Sequence, residues 1–106
     1  MSDYESSVIK KVVTKYISKE SSILDIACGL GDKMLLLEEA GYHNVRGVEI
    51  NEDSVMVCRK KGLNVVTFDE FKSEGGESEY DVIFLSHIIE HFEYRELIEF
   101  METYLQ

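Results

Sequence analysis

The chain has 106 residues, enough for one small domain, and its 44% apolar and 30% charged residues are the balance of an ordinary globular fold. A formal charge of −10 argues against direct binding to nucleic acid, which needs lysine and arginine to displace counterions; the acidity reads as solubility. No run of about 18 apolar residues could span a membrane, the N-terminus lacks a secretory pattern, and Cys28 and Cys58 lack metal or disulfide-framework spacing, so both read as reduced thiols of a cytoplasmic protein.

In chain order, residues 4–19 place Val8, Ile9, Val12, Val13, Tyr16 and Ile17 at helical spacing, with Lys11, Lys15 and Lys19 off that stripe. The short apolar segment 22–28 reads as a buried strand. Residues 32–41 read as a helix ending at a glycine. A second strand is expected over 44–50. Asn51 then caps a helix that stops at Gly62, with acidic residues at its start and basic ones at its end, as the helix dipole favours. Residues 63–68 give a third strand, 72–79 a glycine-containing polar loop, and 80–86 the fourth and most apolar strand. A closing helix from about Glu93 carries Leu97, Phe100, Met101 and Tyr104 on one stripe. Strands alternating with helices predict an α/β fold, a Rossmann-like parallel sheet with helices on both faces. Its expected strand order is 3-2-1-4.

Ligands of such sheets sit beyond the carboxyl ends of the strands. Each predicted end carries a suggestive group. The first runs into Ala27-Cys28-Gly29-Leu30-Gly31, where glycines let backbone approach a ligand. The second ends at Glu49-Ile50, and a carboxylate there can accept from both hydroxyls of a ribose. The third ends at Phe68-Asp69, where an acid can accept from an exocyclic amine, and the fourth at Ser86-His87. Alone, a glycine pair is a turn and an acid at a strand end is solvated. Their placement at successive strand ends is what points to a nucleotide.

A dinucleotide loop needs three small residues in the pattern G-x-G-x-x-G or A. Counting from Gly29, the third position is Met34, too large for close helix–strand packing. Counting from Ala27, it is Asp32, which would oppose a pyrophosphate. A ligand bearing a sulfonium and an amino-acid tail meets neither objection. "LDIACGLGD", "VRGVEI", "VVTFDEF" and "YDVIFLSHIIEHF" together resemble class I S-adenosylmethionine-dependent methyltransferases over residues 20–92. Alanine at position 27 stands where that family's D-x-G-x-G-x-G motif has its first glycine, a change small enough to be tolerated. The resemblance implies S-adenosylmethionine as cofactor. It places Asp25, Ala27, Cys28, Gly29 and Gly31 at the methionine part, Glu49 on the ribose, Ile50 on the adenine face, Phe68 and Asp69 at the adenine amine, and Ser86 and His87 near the sulfonium. It leaves the methyl acceptor open.

His87-Ile88-Ile89-Glu90-His91 also matches the H-x-x-E-H pattern of a zinc hydrolase. That reading needs a third ligand and a helical setting, whereas the segment follows an apolar strand. Some methyltransferases acting on RNA 3′ ends carry a metal-binding Glu and His cluster here, but with ligands this chain lacks. The plainer expectation is that Glu90 and His91 support the last helix and no metal binds. His87 and His91 are then the only side chains available as a general base. The family's domain continues through three further strands, so residues 1–106 read as a single but incomplete cofactor-binding domain. It would be either a methyltransferase or a non-catalytic S-adenosylmethionine- or S-adenosylhomocysteine-binding partner subunit. An apolar fourth strand at an open edge predicts a homo-oligomer or a partner chain seated there, unless the chain is a fragment of a longer enzyme that itself covers the edge.

Overall fold

The computed structural model describes residues 2–74 and 80–85. Along the chain lie α1 (Asp3–Tyr16), β1 (Ile23–Ile26), α2 (Asp32–Glu39), β2 (Val45–Glu49), α3 (Glu52–Lys60), β3 (Val65–Thr67), α4 (Phe68–Ser73) and β4 (Val82–Leu85). The strands form one parallel sheet in the order β3-β2-β1-β4, as expected. One core cluster unites Val13 of α1, Met34 and Leu37 of α2 and Val55 and Cys58 of α3. The other joins Leu24, Ile26 and Val48 to Phe71 of α4. Helices therefore cover both faces. This is why β1, at the centre, reads as an unbroken apolar run and is buried at every position.

Capping residues set the helix ends. Ser2 accepts Glu5 N–H at 3.1 Å at the start of α1, and Asn51 accepts Ser54 N–H at 3.0 Å at the start of α3. Both α2 and α3 end in a Schellman motif. Gly41 N–H donates to Glu38 O and Tyr42 N–H to Leu37 O, each at 3.0 Å; Gly62 N–H donates to Arg59 O at 3.0 Å and Leu63 N–H to Cys58 O at 3.1 Å. Gly41 and Gly62 take the positive φ, +100° and +83°, that this motif demands.

The boundaries differ from expectation in two informative places. The first helix stops at Tyr16 and does not reach Lys19, because Ile17 is extended. Its carbonyl accepts from the buried Tyr42 hydroxyl at 2.6 Å, which also lies 3.0 Å from Val13 O. The third strand ends at Thr67, so Phe68 and Asp69 do not lie on it as expected; they form the first turn of α4. A capping box starts that helix: Thr67 Oγ1 accepts Glu70 N–H, and Glu70 Oε1 accepts Thr67 N–H, both at 3.1 Å. Lys72 and Ser73 accordingly belong to α4 and not to a loop. The closing helix expected after Glu93, Ser86, and the His87–Glu90–His91 stretch lie outside the described residues.

Candidate functional site

Parallel register brings the strand ends together. Ile26 pairs with both Val48 and Leu85, and Glu49 pairs with Thr67. The segments after these residues must therefore emerge side by side on one edge of the sheet. They are the glycine loop 27–31, Ile50, and the Phe68-Asp69 turn.

The loop begins at a residue that pays for its conformation. Ala27 has φ +59°, in the left-handed region, and is buried. Its tolerance in place of glycine is therefore a matter of backbone angle as well as size. Gly29 and Gly31 follow at φ +60° and +85°. A side chain at Gly31 would also meet the Leu63 Cδ1 at 2.4 Å. Gly31 is the N-cap of α2 and supplies no side-chain cap.

Glu49 is 1% exposed, yet its carboxylate is not idle. Oε1 accepts Gly29 N–H at 2.9 Å and Oε2 accepts Asn51 N–H at 2.8 Å. One acid thus ties the glycine loop to the start of α3. Asp25, fully buried, lies in the same region. The Cys28 thiol lies close to both acids. Burial, followed by the charge on Asp25, pushes it well above the ordinary thiol range, with Cys58 and Glu49 contributing. Cys58 is raised too, chiefly by burial. Both cysteines are free and buried, so they are inert thiols packed under the loop and not nucleophiles.

Ile50 is 40% exposed, an apolar side chain open at the strand end. Asp69 is exposed on the first turn of α4, and Phe68 is half-buried against the second core cluster, its ring capped by Lys72 Nζ at 5.2 Å. The structure thus gathers Asp25, Ala27, Cys28, Gly29, Gly31, Glu49, Ile50, Phe68 and Asp69 at one edge. Ser86, His87 and His91 are outside the described residues.

Three contributors were not evident in the sequence. Gly47, inside β2, takes up the bulk of Met34: a Cβ there would lie 2.6 Å from Met34 Sδ and 2.8 Å from Cys28 Sγ. A glycine within a strand is the signal for such a close approach. Cys58 donates its thiol to Gly29 O at 3.3 Å, and Lys61 donates Nζ to Leu30 O at 2.8 Å. No local pattern announces either of these contacts, because each joins residues about thirty apart.

This arrangement suits some ligands better than others. A carboxylate offers about four lone-pair sites, so Glu49 can serve two backbone donors and still accept a pair of hydroxyls. Asp32 and Glu49 beside the loop disfavour a pyrophosphate and favour a ligand with positive charge there.

A model of the family described as methionine biosynthesis protein MetW matches residues 8–102. Among solved structures, a protein of Pyrococcus horikoshii OT3 superposes with a TM-score of 0.72 at 31% identity, over 96% of this chain and 51% of that one. A SAM dependent methyltransferase from Archaeoglobus fulgidus gives 0.68 at 31% identity, over 92% and 46%. The methyltransferase domain of a bacterial Hen1 shares the fold at a TM-score of 0.72 and 16% identity, over 96% and 58%. The chain spans about half the length of these structures. No curated protein matches it. Among the described residues no helix is long and apolar enough to cross a membrane.

Proposed function

The chain belongs to the family described as methionine biosynthesis protein MetW, and from that premise we propose that it is the cofactor-binding part of an S-adenosylmethionine-dependent methyltransferase. The observation that carries this reading is the bond between Gly29 N–H and the buried Glu49 carboxylate. It joins a glycine loop to a buried acid at the adjacent strand end. The solved methyltransferase with 31% identity over 92% of the chain supports the same assignment.

In this reading Glu49 accepts the two ribose hydroxyls on its remaining lone pairs. Ile50, exposed at the end of β2, covers one face of the adenine, and Asp69 accepts from its amine. Asp25 and the loop 27–31 receive the amino-acid tail; Ser86 and His87, which the resemblance assigns to the sulfonium, lie outside the described residues. Bound there, S-adenosylmethionine supplies an electrophilic methyl group on a sulfonium. The Glu49 carboxylate, bonded to Gly29 N–H, places a negative group beside the loop for such a cation. Catalysis would then rest on positioning an acceptor in line with the methyl group. Two reduced, buried thiols fit a cytoplasmic setting.

Titration calorimetry with S-adenosylhomocysteine tests the assignment. Saturable binding that is lost in Glu49→Ala supports it, and no binding by the folded wild-type chain sinks it. Binding without methyl transfer to any acceptor would leave a cofactor-binding subunit as the function.

The edge of β4 forms part of the same proposal. Val82, Ile83 and Phe84 are only half-buried and Leu85 is 45% exposed, although β1 beside them is fully buried. Solved relatives carry about as much chain again. A further strand against β4, from a second copy of this chain, from a partner or from more of the same protein, would bury that edge.

A further inference from the structure

The contacts that fasten the glycine loop come from one side, the end of β2 and the far end of α3. Glu49 takes Gly29 N–H, Cys58 holds Gly29 O at 3.3 Å, and Lys61 holds Leu30 O at 2.8 Å. Gly31 N–H is already committed to Cys28 O at 3.1 Å, so the peptide between Leu30 and Gly31 is held at both its oxygen and its nitrogen. In a trans peptide the N–H points opposite to the C=O. Drawing Gly29 O toward Cys58 therefore turns the Leu30 N–H away from α3, outward, where the half-exposed Leu30 side chain also lies.

Such a loop needs an external hold. Glycines at φ +60° and +85° flank Leu30, and glycine loses the most backbone freedom on ordering. A loop already fixed in the bound shape loses less on binding. Lys61 is well placed to fix it. It is the C-cap of α3, where a cation complements the helix dipole, and the Schellman motif at Gly62 sets its backbone.

We infer that Lys61 is a positioning residue for the cofactor loop. With Cys58 it holds Gly29, Leu30 and Gly31 in the shape that receives the amino-acid tail of the ligand. The inference rests on the S-adenosylmethionine reading above and extends it to a residue outside the strand ends. Its consequence is selective. Lys61 acts on affinity through the tail, whereas Ile50 and Asp69 act through the nucleoside and Glu49, which also bonds Gly29 N–H, through both.

The test compares S-adenosylhomocysteine with 5′-methylthioadenosine, which keeps the nucleoside and sulfur but lacks the tail. Lys61→Met preserves an apolar stem and removes the donor; Lys61→Arg keeps a donor. Lys61 is exposed, so both variants should fold, and thermal melts check this. Losing one charge-assisted bond predicts about five-fold weaker binding of S-adenosylhomocysteine by Lys61→Met. Binding of 5′-methylthioadenosine should be unchanged, and Lys61→Arg should recover most of the loss. Equal affinity of wild type and Lys61→Met for S-adenosylhomocysteine overturns the inference, and so does an equal loss for both ligands. A wild-type chain that binds neither ligand instead removes the cofactor assignment itself, and this inference with it.

Discussion

Two residues, Ala27 at the start of the glycine loop and Gly47 beneath it, show how closely its shape is set. Ala27 sits at φ +59° with its methyl group buried. The left-handed conformation costs alanine roughly 1–2 kcal/mol. Replacing it by glycine relieves that strain but gives up about 0.8 kcal/mol of methyl burial and frees the unfolded chain by roughly 0.4–1 kcal/mol. These terms nearly cancel, so Ala27→Gly should leave the urea midpoint almost unchanged. Ala27→Val adds a β-branch in the same conformation and bulk to a filled space, and should lose at least about 2 kcal/mol. Gly47 is the complementary case. Its φ is unremarkable, but a Cβ would strike Met34 Sδ, Cys28 Sγ and Val65 Cγ2 at 2.6, 2.8 and 3.1 Å. Gly47→Ala should cost about 1–3 kcal/mol by overpacking, and combined with Met34→Ala it should cost less than the sum of the two single losses in the same melts. The sequence showed that Met34 is too large for a dinucleotide loop. It did not show where that bulk goes, because the answer lies on another strand. The positive φ of Ala27 was equally hidden, since alanine gives no signal for it.

At the level of elements, helix ends signalled by capping residues were legible, and ends set by distant side chains were not. Asn51, Gly41 and Gly62 mark their helices in the sequence and do so in the structure. The stop of α1 at Tyr16 depends on Tyr42, a residue on the far side of β1. Tyr42→Phe keeps the buried ring and removes the hydroxyl that bonds Ile17 O, so it should lose about 1 kcal/mol with amide exchange rising first at the C-terminal end of α1. The threonine and glutamate of the α4 capping box were in plain view, but the apolar run 63–68 read through Thr67 as strand. Thr67→Ala should cost about 1 kcal/mol and also weaken S-adenosylhomocysteine binding, since Asp69 rides on the first turn of α4. Arginines attach that helix. Arg46 bonds Glu74 at 2.7 and 2.6 Å, and Arg59 bonds Glu70 at 3.1 Å. The Arg46 guanidinium holds the Glu74 carboxyl below its usual range. A carboxyl whose folded-state pKa is lowered adds stability above its unfolded pKa and loses it as pH falls through the folded value. The gap in melting temperature between wild type and Glu74→Gln should therefore be present at neutral pH and close as the solution is acidified below about pH 4.5. A gap unchanged at low pH would mean that the pair contributes by packing alone.

For the molecule as a whole, a parallel sheet followed from alternating strands and helices, and the order β3-β2-β1-β4 from analogy with doubly wound folds. What covers β4 did not follow, since pairing at an edge depends on another strand and not on the pattern within this one. Two copies of this chain would each bring a charge of −10 to a shared interface. Repulsion between them is felt over a Debye length of about 10 Å at 0.1 M salt and about 3 Å at 1 M. The apolar contribution from Phe84 and Leu85 does not weaken with salt in that way. If β4 pairs with a second copy, association should strengthen as salt rises, the reverse of what an interface held by ion pairs would do. Light scattering on the eluted 12.2 kDa chain should then show a growing dimer fraction from low to high salt. Leu85→Lys, which puts a charge on the exposed end of that edge, should return the chain to monomer at every salt concentration while leaving its affinity for S-adenosylhomocysteine intact. A wild-type chain that stays monomeric at high salt rules out pairing of β4 with a second copy. A Leu85→Lys chain that still dimerises moves the interface elsewhere, to the exposed stripe of Tyr4, Val8, Val12 and Tyr16 on α1.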